Sequence, residues 1–184
     1  WGKDIIEGNY TTKVCCIRGA DLPDLKNCEI TNAPDRYIID KNYITKNLKE
    51  NDIIVELSGG SPTQSTGRSA FIPEGFNRIS NNLICTNFCK ALRCKDRKTA
   101  VYCYLLFDMW YDSGLFFNYE IGTTGLKNIN LDAVLSFDIK KPTDEFLQQI
   151  YDQFHISYSR IIDNALKINK LNNLKQLYLK KFFN

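Results

Sequence analysis

The polar side chains of residues 58–69 are the first group in this sequence that could do chemistry. Three glycines and Pro62 separate hydroxyl and amide side chains and one arginine, Arg68. This composition offers nothing that can join a core, so we expect this central loop (residues 58–69) to lie at the surface and to bind a polar partner. The guanidinium of Arg68 offers a fork of N–H donors suited to guanine or phosphate.

A phosphate cradle is the enzymatic alternative for the central loop. A Walker loop places Gly, four residues, Gly, and then Lys with Ser or Thr, so that backbone N–H groups surround the phosphates. Here six residues separate Gly60 from Gly67, and Arg68 stands where the lysine would be. The spacing therefore opposes nucleotide binding. A surface loop without any ligand is the remaining alternative.

Two other polar stretches could contact the same partner. Residues 120–128 form a second polar loop, in which Gly122 and Gly125 let the backbone approach a ligand. Residues 90–98 carry five basic side chains against one acidic side chain, the densest positive charge in the chain. Such a run could contact phosphates, although a solvated turn is the simpler interpretation. A plain connector is likewise the alternative for residues 120–128.

Charge and cysteine content narrow the classes of protein. Residues 1–140 hold 17 basic and 17 acidic side chains, so the net charge of +3 comes from the last 44 residues, and composition alone does not argue for DNA. Seven cysteines without a Cys-x-x-Cys pair, and one distant histidine, His155, predict neither a metal site nor disulfides. We expect no cofactor, free thiols and a cytoplasmic protein. No apolar run spans a membrane, and Trp1 in place of a starting methionine suggests a piece of a longer protein.

The elements that position these loops are short. The pattern predicts strands at 13–18, 37–39, 53–57 and 70–72, two short strands or one bent strand within 83–93, and a helical turn at 43–48. The apolar residues 100–111 predict a buried helix that ends at Gly114. Residues 131–139 predict a strand or a short helix. These elements indicate an α+β domain, with a mixed sheet and a buried helix, over residues 1–140.

A long helix follows in residues 141–184. Thr143 is a plausible N-cap, and no Gly or Pro interrupts residues 143–183, which as a straight helix would be roughly 60 Å long. So long an apolar stripe exceeds what a domain of this size can cover, so the pattern predicts pairing with another helix as a coiled coil. The predicted pairing residues are Leu147, Ile150, Phe154, Ile161, Ile168, Leu171 and Tyr178.

Four segments, in this order, resemble the DNA-specificity (S) subunits of type I restriction-modification systems. They are residues 16–22 (Cys-Ile-Arg-Gly-Ala-Asp-Leu), 52–68 with the central loop, 85–89 (Cys-Thr-Asn-Phe-Cys) and 113–128. The chain resembles one target recognition domain with one spacer helix. It departs from the family at residues 139–150, where a single proline, Pro142, stands in the usual Pro-Pro stretch.

The resemblance implies a non-catalytic chain that directs partner subunits to a split DNA site. Its partners would be double-stranded DNA, methyltransferase (modification) subunits and a restriction motor-nuclease subunit. Members of the family carry two recognition domains and two spacer helices, whereas this chain has one of each. A second copy of this chain, as a homodimer, or the second half of an S subunit would therefore pair with it through the C-terminal helix. The candidate DNA-binding residues are Gly60, Ser61, Thr63, Gln64, Ser65, Thr66, Arg68, Lys90, Arg93, Thr123, Thr124, Lys127 and Asn128.

Two other classes stay open at this point. One is a coiled-coil adaptor whose globular head binds protein, which the balanced charge of residues 1–140 allows. The other is a nucleotide-dependent enzyme that would use the Gly60–Gly67 segment. Salt-dependent DNA binding distinguishes the S subunit from the adaptor.

Overall fold

The protein is described by a computed structural model over residues 2–30, 32–122 and 125–183, and its architecture is α+β, as the sequence predicts. The strands are β1 (Tyr10–Ile17), β2 (Asp35–Ile39), β3 (Asp52–Glu56), β4 (Ser58–Gly59), β5 (Ser69–Phe71), β6 (Leu83–Cys85), β7 (Cys89–Arg93), β8 (Glu120–Ile121) and β9 (Lys127–Ile129). The α-helices are α1 (Leu22–Lys26), α2 (Asp40–Lys46), α3 (Arg97–Asp112), α4 (Leu131–Leu135) and α5 (Asp144–Phe183).

The strands form three small sheets. The first has the order β2-β1-β6, with β1 and β6 parallel. The second has the antiparallel order β5-β3-β7, and the third the antiparallel order β4-β9-β8. Every residue of β3 is buried, which explains its continuous apolar run from Ile53 to Val55. The third sheet joins the central loop to the second polar loop.

Helix α3 ends where the sequence predicts, and it begins at Arg97, three residues before the apolar run. The Asp96 carboxylate caps its N-terminus by accepting from the Thr99 backbone N–H at 3.0 Å. Gly114 follows the helix with φ of 76°, a left-handed conformation that costs a glycine nothing. The apolar composition of the helix suggested that it is buried on all sides. That expectation is wrong, because Leu105 and Met109 face outward and Met109 is 56% exposed.

Two apolar cores share the first half of α5. One core lies between the first sheet, the second sheet, α1 and α5, where Ile162 is 1% exposed. The other lies between the second sheet, α3 and α5, and contains Tyr151. Phe154 contacts both cores and stacks on Tyr158 with ring centroids 4.3 Å apart. The helix therefore holds the domain together.

This packing corrects the expectation that the apolar stripe of α5 needs another helix along its whole length. Leu147 is buried and lies on the face of α5 that meets the domain, while Ile150, Phe154 and Ile161 pack against the two cores of the same chain. The stripe is covered intramolecularly as far as Ala165, which is 4% exposed. The reason is that a helix rising 1.5 Å per residue can follow a small domain for about six turns before it passes beyond it.

The second half of α5 runs beyond the domain. Every residue from Lys167 to Phe183 is exposed. Large apolar side chains recur through this half: Ile168, Leu171, Leu174, Leu177, Tyr178, Leu179, Phe182 and Phe183. Three of the predicted pairing residues, Ile168, Leu171 and Tyr178, lie here with 47%, 63% and 53% of their surface exposed.

All seven cysteines are free thiols. In residues 2–30, 32–122 and 125–183, no group of three or more His, Cys, Asp or Glu side chains is placed to hold a metal ion. None of the helices in that part of the chain combines the length and the apolar character needed to cross a membrane.

Candidate nucleic-acid interface

One cleft, with a volume of about 470 Å³, collects residues from segments that lie far apart in the sequence. Strand β1 and the turn after it, the flanks of the central loop, the turn between β6 and β7, and the hairpin between β8 and β9 each contribute. The lining residues are Cys16, Arg18, Gly19, Ala20, Pro34, Arg36, Glu56, Ser58, Arg68, Thr86, Phe88 and Leu126. The fold thus brings together four loops that local sequence could not connect.

A two-point ion pair between Arg68 and Glu56 lies in the wall of the cleft. Arg68 Nε donates to Glu56 Oε2 at 2.9 Å, and Nη2 donates to Oε1 at 2.6 Å. Their side chains are 22% and 3% exposed. With its amide oriented so that Oε1 faces the guanidinium, Gln64 also accepts from Arg68 Nη1 at 3.1 Å. These hydrogen bonds fix the position of Arg68, and those with Glu56 raise its pKa.

Two glycines enclose the Glu56 carboxylate. A Cβ atom added to Gly19 would lie 2.4 Å from Glu56 Oε1, and one added to Gly59 would lie 2.6 Å from the same atom. Both positions therefore accept only glycine while the carboxylate stays in place. The Glu56 carboxylate thus joins the turn after β1 to the start of the central loop.

The other two arginines of the cleft are also paired. Arg18 donates to Asp21 through Nε at 2.9 Å and through Nη2 at 2.8 Å, and Asp21 is 3% exposed. Burial alone would raise the pKa of Asp21, but the hydrogen bonds from Arg18 outweigh it and lower the pKa. Arg36 pairs with Asp4. Each guanidinium has five N–H donors, and these pairs leave some of them for a ligand.

The two polar loops meet in the third sheet, where β4 pairs with β9 so that Ser58 faces Asn128 and Gly59 faces Lys127. Ser58 Oγ donates to Asn128 Oδ1. Glu120, whose side chain is 5% exposed, accepts from the Thr66 backbone N–H at 2.8 Å and from Lys127 Nζ at 2.7 Å. Burial opposes ionisation of Glu120, yet these hydrogen bonds prevail and lower its pKa. Glu120 therefore clamps the two loops together.

Four of the twelve residues of the central loop are buried, Ser65, Thr66, Gly67 and Ser69, so the expectation that none of it could join the core is wrong. Ser65 and Thr66 are 2% and 0% exposed, and a Cβ at Gly67 would lie 2.6 Å from Phe116 and from Ile129. Ser65 and Thr66 therefore cannot contact bases in this conformation. Thr63 is exposed, Gly60, Ser61 and Gln64 are half-buried, and Ser61 is bridged to Gln64 across the turn. This turn therefore lies at the surface.

The remaining predicted DNA-binding residues fall into three groups. Lys127 and Asn128 lie in the third sheet beside the central loop and are engaged by Glu120 and Ser58. Lys90 and Arg93 lie on β7 and do not line the cleft. Arg93 forms two hydrogen bonds of 2.7 Å with the buried Asp52, at the opposite end of β3 from Glu56. Thr123 and Thr124 lie outside the described residues.

Sequence reasoning missed Arg18, Arg36, Phe88, Glu56 and Glu120 as members of this region. Phe88 is 55% exposed at the cleft although it is aromatic. The available signal was one large apolar residue in the polar turn Thr86-Asn87-Phe88. The two glutamates gave no signal, because their partners lie 12 and 54 residues away.

No protein-family model matches this chain, and no curated protein matches it in sequence.

Proposed function

We propose that the chain is the specificity subunit, or half of one, of a type I restriction-modification system. In this role it recognises a short DNA sequence and directs methyltransferase and restriction subunits to it, without catalysing a reaction itself. One observation carries the proposal. The four segments that resemble S subunits converge on a single cleft, with Arg18, Arg68, Thr86 and Leu126 as one representative of each.

The chemistry of the cleft favours reading bases over binding phosphates. Its three arginines are each paired with a carboxylate, so they present fixed N–H donors with little net positive charge. Specificity comes from such placed donors and acceptors, whereas unpaired lysines and arginines supply affinity for any phosphate backbone. The isolated chain should accordingly bind DNA weakly, and the partner subunits should contribute the larger share of affinity.

The exposed half of α5 supplies the partner interface of this proposal. Its apolar side chains continue for 17 residues, about 25 Å, beyond the last contact with the domain. A second copy of the helix, or the second half of a longer S subunit, would bury them as a coiled coil. Methyltransferase subunits would then dock on the paired helices and the two recognition domains.

Co-purification with a methyltransferase subunit, followed by methylation mapping of genomic DNA in cells with and without this chain, tests the proposal. The expected result is a split motif that is methylated only when the chain is present. Leu171→Glu should abolish methylation by preventing helix pairing. Asn173→Glu, on the opposite side of the helix, should not.

The adaptor function makes the opposite prediction. If the chain binds protein only, methylation is unchanged by its removal, no methyltransferase subunit co-purifies, and fluorescence anisotropy shows no DNA binding even at low salt. That set of results would replace the S-subunit proposal with the adaptor.

A further inference from the structure

Two large apolar side chains stand exposed at the cleft. Phe88 is 55% and Leu126 is 57% exposed, and both line the same concave surface from different loops. The position of Phe88 is fixed by its backbone, since its carbonyl accepts from the N–H groups of Leu57 at 2.7 Å and Ser58 at 3.3 Å. Exposed apolar groups held in place around a concavity are typical of binding sites.

The polar groups of the cleft lie beside this apolar pair. Ser58 and the guanidinium of Arg68 line it, and Glu56 holds Arg68 in place. Thr86 lines it as well, and its hydroxyl oxygen is buried with no hydrogen-bond partner among the described residues apart from the weak thiol of Cys89.

The concave shape limits what can enter. A base that stays stacked in a duplex presents its edge from inside a groove, so only a protruding side chain can reach it. Arg68 and Thr86 lie in a recess of about 470 Å³, within the range of roughly 300–1,000 Å³ for small-ligand sites. A flat group that projects from its own backbone can enter such a recess. An unstacked nucleobase is such a group.

We propose that the cleft accepts one unstacked nucleobase, which stacks on Phe88 and forms hydrogen bonds with Ser58 and Arg68. This inference rests on the proposed function only in that DNA is the source of the base. A free deoxynucleoside has the same chemistry, and the experiment separates the two sources. The cleft suits phosphate poorly, because a carboxylate already neutralises each of its arginines.

The test uses the full chain and two kinds of probe. The first is a set of duplexes that carry the mapped methylation motif with 2-aminopurine at one position after another. The second is each of the four free deoxynucleosides, titrated while intrinsic fluorescence and thermal stability are followed. The variants are Phe88→Ala and Met109→Ala, which removes an equally exposed apolar side chain (56%) on α3, away from the cleft.

The expected result is a several-fold rise of 2-aminopurine fluorescence at one position when the wild-type chain binds. Phe88→Ala should lose that rise and bind the duplex roughly tenfold more weakly, whereas Met109→Ala should match the wild type. Phe88→Tyr, which keeps the ring, should restore both. A motif that is bound without any fluorescence rise, or a Phe88→Ala variant that equals Met109→Ala, overturns this inference and leaves the proposed function standing.

The free nucleosides decide the remaining cases. If the chain binds no duplex but a nucleoside saturates the cleft in a Phe88-dependent manner, the cleft is a nucleobase site for a free ligand and DNA is the wrong source. If neither the duplexes nor the nucleosides bind, the cleft is not a nucleobase site. Loss of the methylation phenotype is measured separately and tests only the proposed function.

Discussion

Arg68 and Glu56 form a two-point ion pair, with Nε to Oε2 at 2.9 Å and Nη2 to Oε1 at 2.6 Å, in the wall of the cleft. The pair has two consequences for Arg68. It holds the end of the central loop against β3, and it presents the N–H donors that Glu56 does not use. A substitution of Arg68 therefore changes the stability of the domain, and this effect has to be measured before any change in DNA recognition is interpreted.

Arg68→Ala should destabilise the domain by about 3–5 kcal/mol, because the carboxylate of Glu56 would stay buried without its partner. Urea denaturation measures the loss. The matched control is Arg78→Ala, which breaks the exposed pair with Asp163 and should cost about 0–1 kcal/mol. An Arg68→Ala variant with unchanged stability would show that the pair does not form in solution.

Glu120→Gln should weaken the link between the two polar loops, and its effect should depend on pH. The pKa of Glu120 is lowered in the folded chain, so its contribution is full above the ordinary value of 4.5 and is lost as pH falls through the folded pKa. The stability difference between wild type and Glu120→Gln should therefore shrink on acidification from pH 7 to below pH 4, as measured by urea denaturation.

An exposed carboxylate provides the control for this pH dependence. Glu29→Gln alters a side chain on the surface and should give a small difference from wild type at every pH. A Glu120→Gln variant that follows the same flat curve would contradict the clamp between Glu120, Lys127 and Thr66.

Cys103 should be the first of the seven cysteines to react with iodoacetamide at pH 8. The interaction with the neighbouring Cys94 thiol lowers the pKa of Cys103, and the thiolate is the reactive form. Burial raises the pKa of Cys28 and of Cys89 to about 12, so both should react slowly. Peptide mass spectrometry over time gives the order. Cys94→Ala should slow the labelling of Cys103, and an unchanged rate would refute the interaction between the two thiols.

Truncation within α5 should separate folding from partner binding. A chain that ends at Leu166 keeps every buried residue of the helix, so its free energy of unfolding should stay within about 0.5 kcal/mol of that of the full chain. It should also lose helix pairing, as measured by light scattering. A chain that ends at Lys140 lacks Leu147, Tyr151 and Ile162 from the cores and should not unfold cooperatively. Cooperative unfolding of that shorter chain would contradict the role of α5 in the domain.

Local signals predicted most of the elements. Gly114 ends α3, and Thr143 caps α5 by accepting from the Phe146 backbone N–H at 3.2 Å. Two strands, β6 and β7, occupy residues 83–93, and residues 131–139 contain the short helix α4. The apolar run at 53–55 became the central strand of its sheet. These features depend on the conformational preferences and the periodicity of residues within a few positions of one another, so they can be predicted from the local sequence.

The sequence by itself therefore determined the α+β composition, the long helix, and the two polar loops as separate features. Only the tertiary structure decided that Glu56 pairs with Arg68 and that Glu120 joins the two loops. It also decided that the apolar stripe of α5 is buried against the domain as far as Ala165. It also placed Phe88 beside Leu126 at one cleft. The physical reason is that a side chain's charge and size are local properties, whereas its partner depends on the path of the whole chain. Residues 54 positions apart, such as Thr66 and Glu120, meet only once the sheets have formed.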